Sequence, residues 1–558
     1  GPNNDILLSL DITYTYKKDR CISNECKVIS FRDSYKILDC KASDIPTNYG
    51  TTSFKLPYSY KFYNDYFKIQ EDETLNDKQK EYRMRKFAKE YEFDEEFKNK
   101  YNIIVNGTPK ELIDLAGKTA PELSEYRALL KRKRSYYLPD EYCRIYNKYD
   151  VVVVEEGLLK MQEYIRSLHS TESIIQLIDS NSKDLSDSKI NELKDKVRKL
   201  EFPLTCTKDI NIFTYRSLAS LVFDIAKKSG VFDNIAMLYG NLKRFIQLSV
   251  VGGRVMKNPR EEMNDYRSIH YEFFENLVGK DRTDELDEEI IQKAMEDSII
   301  DNDAVSLYPS AISLCKMPAG IPKIYNLTEH DQKEIHLIPK ILQSGRSFFC
   351  LDIETRKDLE FPILSEKIDG VRRFRNGKFN KIVIGDVALS NVLKYQDTVI
   401  TRVYTIVRFK DTCDRFAKFI KTLFTLRLIF KAIKLPCQNT IKLIMNSAYG
   451  RTILKESPYK REYKRLATED DKNAFKRYLN ENFYCMKPEV QKIGNFIKVQ
   501  KRSLAENPSG YPHVGSHILE VSKHLMNKMF DKINSCEMWK VVQKNHIEEM
   551  WDKNIKKM

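Results

Sequence analysis

Residues 299–310 read IIDNDAVSLYPS, and this stretch governs how the rest of the chain is interpreted. An apolar approach leads to Asp303, after which a Ser-Leu-Tyr-Pro-Ser run opens a short apolar helix. The order predicts Asp303 at the end of a strand, Pro309 in the first helical turn and Tyr308 just before it. A carboxylate at a strand end can hold Mg²⁺, because this ion prefers hard oxygen ligands. An isolated Asp before a turn is more often a helix cap or a surface acid.

A second polar pattern is predicted on a helix at residues 439–450, which read NTIKLIMNSAYG. Lys442, Asn446 and Tyr449 are spaced i, i+4 and i+7, so they share one helix face. Residues 415–434 form another amphipathic helix, and Pro436 separates the two. The apolar positions of the earlier helix are Phe416, Phe419, Leu423, Leu426 and Phe430.

An antiparallel hairpin of these two helices would bring Arg427, Lys431 and Lys442 together. Three converging cations suit a triphosphate, whose charge is about −4. The alternative is a basic hairpin whose charges are simply solvated.

The two stretches resemble motifs A and B of the protein-primed family B DNA polymerases: DAVSLYPS matches the first and KLIMNSAYG the second. The resemblance implies that Asp303 binds the catalytic metals and that Tyr308 packs under the sugar and excludes ribonucleotides. It also implies that Lys442 contacts phosphate, and the predicted hairpin adds Arg427 and Lys431 to this contact. By the same resemblance, Asn446 and Tyr449 shape the nucleotide pocket.

The resemblance further implies an α/β (α+β) fold with an RNase H-like exonuclease remnant, a palm and helical fingers. Short β-branched runs at residues 27–32 and 151–154 predict a mixed α/β layer in the first 240 residues. The expected domains are a degenerate exonuclease-like domain at 1–240, the first part of the palm with motif A at 241–310, a protein-primed-type insertion with palm at 311–412, the fingers hairpin with motif B at 413–450, a second insertion with palm at 451–512, and a palm helix with a C-terminal tail at 513–558.

Three local patterns refine this organisation. Residues 71–100 and 180–199 are dense in charge and predict solvated helices. Residues 361–395 are strand-turn-strand in character, with Asn376-Gly377 as the turn.

Tyr146 and Asp150 have the Tyr-x-x-x-Asp spacing of the third exonuclease motif, in which the Asp binds metal and the Tyr orients water. The first two exonuclease motifs are not found in the sequence. The chain is therefore expected to have little or no 3′→5′ exonuclease activity.

Gly252, Gly253 and Arg254 resemble the linker motif between exonuclease and polymerase, although Val250 stands where a Tyr is usual. Backbone amides of paired glycines can approach DNA phosphates closely, so these three residues are expected to bind DNA.

Two-metal phosphoryl transfer needs a second carboxylate opposite the first. In the family an Asp-Thr-Asp hairpin supplies it, and residues 513–529 resemble the helix before that hairpin, yet no Asp-Thr-Asp or thumb follows. Three explanations are open: the sequence is a fragment whose remainder lies elsewhere, it was cut at both ends, or it is a decayed polymerase kept for binding. The acids that do follow lie in a helical pattern, and they are Glu537, Glu548, Glu549 and Asp552.

Composition favours a polyanionic partner, since 94 Lys and Arg against 80 Asp and Glu give a formal charge of +14. The 11 cysteines lack zinc-site spacing and are interpreted as reduced, buried thiols. No apolar run reaches about 18 residues. These features predict an intracellular, reducing location, in the host cytoplasm or virion-associated, without a membrane partner.

Two functions are compatible with this sequence. The first is a DNA-directed DNA polymerase of a virus or linear plasmid, which uses Mg²⁺ and adds dNTPs to a primer hydroxyl on template-primer DNA. A terminal protein, or a second chain that supplies motif C and thumb, would be a further partner. The second is a catalytically inactive, polymerase-derived nucleic-acid-binding or scaffold protein, which would not need the second carboxylate.

Overall fold

The computed structural model describes part of the chain. The described residues are 9–17, 24–32, 34–51, 53–108, 110–111, 139–182, 184–253, 306–329, 331–332, 346–359, 361–368, 371–453, 459–486, 491–502 and 510–534.

The helices of the described part are α1 (Tyr35–Leu38), α2 (Ile45–Tyr49), α3 (Tyr60–Glu71), α4 (Asp77–Glu90), α5 (Glu95–Asn106), α6 (Pro139–Ser167), α7 (Thr171–Asn181), α8 (Asp187–Arg198), α9 (Leu218–Lys228), α10 (Gly240–Gln247), α11 (Leu307–Leu314), α12 (Asp386–Tyr395), α13 (Arg415–Ala432), α14 (Cys437–Ser447), α15 (Glu469–Asn482) and α16 (Pro512–Asn534).

The strands of the described part are β1 (Ser9–Lys17), β2 (Asn24–Arg32), β3 (Met317–Ala319), β4 (Lys323–Asn326), β5 (Arg346–Thr355), β6 (Ser365–Ile368), β7 (Val371–Phe374), β8 (Lys378–Gly385), β9 (Thr398–Phe409), β10 (Asp411–Cys413), β11 (Tyr459–Arg465), β12 (Gln491–Ile493) and β13 (Phe496–Arg502). The mixed α/β class predicted from the sequence is confirmed. The described residues divide into a first unit, 1–232 with 418–451, and a second unit, 233–417 with 452–558.

The first unit is mainly helical where it is described, and an aromatic cluster forms a core within it. Tyr58 stacks on Tyr63 and Tyr146, with ring centroids 4.3 and 4.1 Å apart. Offset stacking of this kind adds about 0.5–1.5 kcal/mol per pair to the burial of the rings. The buried members of the cluster are Phe54, Leu56, Phe62, Tyr63, Tyr66, Phe97, Ile104, Tyr142 and Tyr146.

The strand predicted at residues 151–154 is wrong, because these valines lie inside α6. The buried positions Tyr142, Tyr146, Val153 and Met161 recur at helical spacing across the whole of α6. A four-residue β-branched run cannot outweigh that longer period. Among the described residues of the first unit, the antiparallel β1–β2 pair is the only sheet, so the larger sheet of an RNase H-like domain is not among them.

The second unit is built on an antiparallel sheet of order β4-β9-β5-β8. Adjacent residues of β5 point to opposite faces, so Phe348 and Phe349 enter different clusters. Phe349 packs with Leu389 of α12, whereas Phe348 packs with Ile246 of α10. The sheet is therefore covered by helices on both sides.

Residues 361–395 differ in part from the strand-turn-strand prediction. Gly377 has φ +93°, as a turn glycine should, and β8 follows it. However, β8 pairs with β5, while β7 pairs with β6. Residues 386–395 form helix α12, in which Leu389 and Val392 are buried three residues apart.

The other local predictions hold. Residues 27–32 lie in β2, and the charged stretches contain α4, which buries no residue, and α8. A reciprocal capping box between Asn76 and Gln79 fixes the start of α4, with both hydrogen bonds at 3.0 Å. The five apolar side chains predicted for the helix at 415–434 are all buried in α13.

Eight cysteines of the described part are free thiols, and half of them, at 315, 413, 437 and 485, are buried. None of the described helices combines the length and apolarity needed to cross a membrane.

Helix α13 ends in a Schellman motif with a lysine at the left-handed position. Lys434 has φ 54°, its N–H bonds Lys431 O at 3.2 Å, and the N–H of Leu435 bonds Phe430 O at 2.8 Å. Glycine is usual at this position, because a left-handed conformation costs a residue with a Cβ about 1–2 kcal/mol.

Replacing Lys434 by glycine is expected to raise the free energy of unfolding by about 0.5–1 kcal/mol, since glycine removes this strain but has more unfolded-state entropy to lose. The lost ion pair with Asp184 matters little, because both side chains are 82% exposed and 3.7 Å apart. Urea denaturation followed by circular dichroism measures the change. The matched control, Lys421→Gly within the same helix, should lower the free energy of unfolding by about 1 kcal/mol. If Lys434→Gly and Lys421→Gly destabilised the protein equally, Lys434 would not be strained.

Candidate nucleotide site

Tyr308 lies at the second position of α11, and Pro309 is also in the first turn, as predicted. Ser306 precedes the helix with φ 53° and ψ 40°, a left-handed conformation that is uncommon for a non-glycine residue. This conformation turns the chain immediately before the helix. Tyr308 is half-buried, and Asp303 with its predicted strand lies outside the described residues.

The paired glycines lie beside Tyr308. A β-carbon on Gly253 would come 2.8 Å from Tyr308 Oη, whereas one on Gly252 would meet nothing within 4 Å. The structure therefore brings two of the predicted site residues, Gly253 and Tyr308, into contact. Arg254 lies outside the described residues.

Helix α16 anchors the chain that leads to these glycines. Lys523 Nζ donates to Val251 O at 2.8 Å, and the hydroxyls of Ser249 and Ser516 are 2.8 Å apart. Helix α11 also packs against α16. The linker and the tyrosine-bearing helix thus share one support.

The same helix buries a carboxylate against the start of α12. Glu520 accepts the N–H groups of Gly385 and Ala388 at 2.6 and 3.3 Å. It therefore caps α12 in place of Gly385, which has no side chain to do so. Desolvation, and then the negative charge of Asp386, raise the pKa of Glu520 to about 7.

Neighbouring groups in this region are also held away from their usual protonation. Burial raises the pKa of Asp386 to about 6, although Arg346 Nη1 lies 3.2 Å from its carboxylate. Burial lowers the pKa of His513 and of His517 to about 3, so both imidazoles are neutral near pH 7. His513 stacks on Phe409 with ring centroids 4.8 Å apart.

Sequence reasoning passed over this buried face of α16. His513, His517 and Glu520 are spaced i, i+4 and i+7, the same periodicity that singled out the polar face of the motif B helix. The spacing could have predicted that these three residues share one helix face, but it could not have predicted that this face is buried.

The motif B helix has the predicted polar face. Lys442 and Asn446 of α14 are exposed and Tyr449 just after it is half-buried, while Ile441 and Ile444 are buried. The buried side packs against α2, α6 and α9. On α13, Lys431 is exposed and Arg427 half-buried. The convergence of Arg427, Lys431 and Lys442 on one triphosphate stays a prediction.

The two exonuclease-like residues lie on α6, where Tyr146 belongs to the aromatic core and Asp150 is half-buried beside it. Tyr146 is 5% exposed, and its pKa is raised by burial and by hydrogen bonds to Tyr60 and Asp150. Lys55 Nζ lies 3.5 Å from Asp150 Oδ2 and 5.4 Å from the Tyr146 ring centroid. In the part of the chain that the structure describes, no group of three or more His, Cys, Asp or Glu side chains could hold a metal ion.

Residues 284–534 match the family described as DNA polymerase type B, organellar and viral. This segment is therefore similar to the type B DNA polymerases. It includes α11 with Tyr308, α13 and α14 with the predicted cationic residues, and α16. Gly252, Gly253, Tyr146 and Asp150 lie before the segment of type B polymerase character.

Solved structures of phi29 DNA polymerase are similar to the chain at 13% identity. The complex with primer-template DNA matches over 92% of this chain and 59% of that one, with a TM-score of 0.42. The complex with primer-template DNA and incoming nucleotides matches over 93% and 60%, with a TM-score of 0.43. The chain therefore spans about three fifths of the length of these polymerases. No curated protein matches it in sequence.

The buried carboxylate of Glu520 should make stability depend on pH. Because its pKa is raised from 4.5 to about 7, its contribution is fully present below pH 4.5 and is lost as pH rises through about 7. Relative to Glu520→Gln, the wild type should lose up to roughly 3 kcal/mol of unfolding free energy between pH 5 and 7.5.

Urea denaturation of the wild type and Glu520→Gln across this pH range measures the difference in unfolding free energy. Both proteins contain the same histidines, so the titration of the histidines cancels in the difference. Asp386 and Lys523 face the carboxylate, and Arg346 pairs with Asp386. These charges shift the midpoint but leave the sign of the effect unchanged. Parallel pH profiles for the two proteins would show that Glu520 is not buried as a titrating group.

Proposed function

We propose that this chain is the exonuclease-like, palm and fingers part of a protein-primed, DNA-directed DNA polymerase of a virus or linear plasmid. The observation that carries the proposal is the pair of motifs, DAVSLYPS and KLIMNSAYG, in order within residues 284–534 of type B polymerase character. Fold likeness alone would not support a function, because one fold hosts many activities.

The proposed reaction adds a dNTP to a primer hydroxyl supplied by a terminal protein or by the growing strand. The hydroxyl attacks the α-phosphate, a new phosphodiester bond forms, and pyrophosphate leaves. Template-primer DNA and the dNTP are the substrates. The exonuclease-like, palm, insertion and fingers segments would occupy the residue ranges predicted from the sequence.

Each site residue has a proposed role. Tyr308, whose ring is half-buried, would lie under the sugar and would exclude a 2′-hydroxyl. The exposed ammonium of Lys442 would neutralise phosphate, with Arg427 and Lys431. Asn446 and Tyr449 would shape the pocket around the base, while Gly252, Gly253 and Arg254 would bind the DNA backbone.

Mg²⁺ is the proposed cofactor, and when bound it would offset the charge of the phosphates. The carboxylate chemistry of Asp303 suits this ion, but one carboxylate does not complete a two-metal site. The second carboxylate would come from a part of the protein, or a second chain, that carries motif C and the thumb.

We also propose that exonuclease activity is absent. Two observations support this: the Tyr146 ring is stacked in the aromatic core, and Asp150 pairs with Lys55. A phenol held in a core cannot orient a water for attack. A carboxylate that is already paired with a lysine is poorly placed to bind a metal ion.

Primer extension by the full-length polypeptide tests the polymerase proposal. With template-primer DNA, dNTPs and Mg²⁺, Asp303→Ala should lower incorporation by roughly 10³-fold, because a metal ligand supports several kcal/mol of charge stabilisation. Asp470→Ala, at an exposed acid of α15, is the matched control and should keep wild-type activity.

Incorporation that survives Asp303→Ala would remove this residue from the site. If the wild type incorporates nothing while binding DNA with steep salt dependence, the binding or scaffold function is favoured instead.

Lys442→Ala should weaken the interaction with the incoming nucleotide by roughly 10- to 100-fold, which corresponds to a charged hydrogen bond of about 1.5–3 kcal/mol. The KM for dNTP in primer extension measures it. Lys196→Ala removes an exposed lysine of α8 that pairs with Glu192, and it should leave KM unchanged. Equal KM values for wild type and Lys442→Ala would exclude the phosphate contact.

A further inference from the structure

The contact between Gly253 and Tyr308 depends on glycine having no side chain. A β-carbon at 253 would come 2.8 Å from Tyr308 Oη, well inside the usual carbon–oxygen contact distance. Gly253 has no positive φ, so alanine can adopt its backbone conformation. The constraint at this position is therefore the space taken by the tyrosine hydroxyl, and not backbone strain.

The backbone is anchored on both sides of this contact. The linker is held at Val251 O by Lys523 and at Ser249 by Ser516. Helix α11 packs against the same α16. Since one helix fixes both sides, an added methyl group at 253 must move the tyrosine ring.

We propose that Gly253 is a positioning residue for Tyr308, and that the backbone at 253 sets how closely the ring approaches the 2′ position of the nucleotide sugar. The inference rests on the proposed function, in which Tyr308 excludes ribonucleotides. Excluding a single hydroxyl group requires a fit better than about 1 Å, so a small displacement of the ring is enough to lose it. Gly253 thereby determines sugar selectivity through Tyr308, apart from any contact with DNA.

The kinetic test compares Gly253→Ala with Gly252→Ala, whose β-carbon would meet no atom within 4 Å. The readout is the ratio of kcat/KM for dNTP to kcat/KM for the matching rNTP on one template-primer. Both nucleotides use the same DNA, so an effect of either alanine on DNA binding cancels in the ratio. The ratio should fall at least tenfold in Gly253→Ala and stay within twofold in Gly252→Ala.

A double variant separates positioning from a general structural role. The clash is with the hydroxyl, so Tyr308→Phe should relieve it while keeping the ring. In the Tyr308→Phe background, Gly253→Ala should therefore leave the ratio unchanged, a non-additivity expected only of groups in contact. A tenfold loss in both backgrounds would overturn the proposal, as would an unchanged ratio in Gly253→Ala.

A spectroscopic test is independent of activity. With 3-fluorotyrosine at position 308, the ¹⁹F chemical shift should move in Gly253→Ala and stay at the wild-type value in Gly252→Ala. An unmoved resonance in Gly253→Ala overturns the inference whether or not the protein polymerises. If instead the resonance moves in Gly253→Ala while the wild type incorporates neither nucleotide, that result would support the contact between Gly253 and Tyr308 but reject the proposed function.

Discussion

The capping of α12 by Glu520 is the interaction on which the second unit depends. A carboxylate buried in α16 accepts two backbone N–H groups at the junction of β8 and α12. Leaving a buried backbone N–H group without its acceptor typically costs about 1–3 kcal/mol. The register of α16 against β8 and α12 is therefore held in part by a polar contact.

Several elements take their position from α16. Helices α10, α11 and α12 pack against it, as do strands β3 and β8. The buried hydroxyl of Ser516 and the ammonium of Lys523 extend its polar contacts to the linker before Gly252. The hydrogen bonds made by Ser516, Glu520 and Lys523 of α16 fix its neighbours in orientation, because hydrogen bonds are directional.

The first unit is organised differently. Rings that stack on one another hold α3, α5 and α6 together, and Tyr146 of the pair with exonuclease-like spacing takes part in that packing. Tyr146 and Asp150 have the expected separation, yet their surroundings are those of a core with a paired acid. Spacing along the chain specifies a helix face or a motif, but burial decides the chemistry of the groups.

The sequence by itself determined those features that depend on neighbours along the chain. These include the helix that starts beside Tyr308, the buried apolar face of α13, and the exposed Lys442 and Asn446 on α14. Hydrophobic period and capping chemistry act within a few residues, so they can be read without coordinates.

Only the tertiary structure decided what depends on residues far apart in sequence. The valines at 151–154 became helical because α6 as a whole buries one face, and β8 paired with β5 in place of its neighbour β7. Contacts between Gly253 and Tyr308, or between Glu520 and Gly385, join positions more than 50 residues apart. Such contacts follow from the packing of whole elements, which no local pattern encodes.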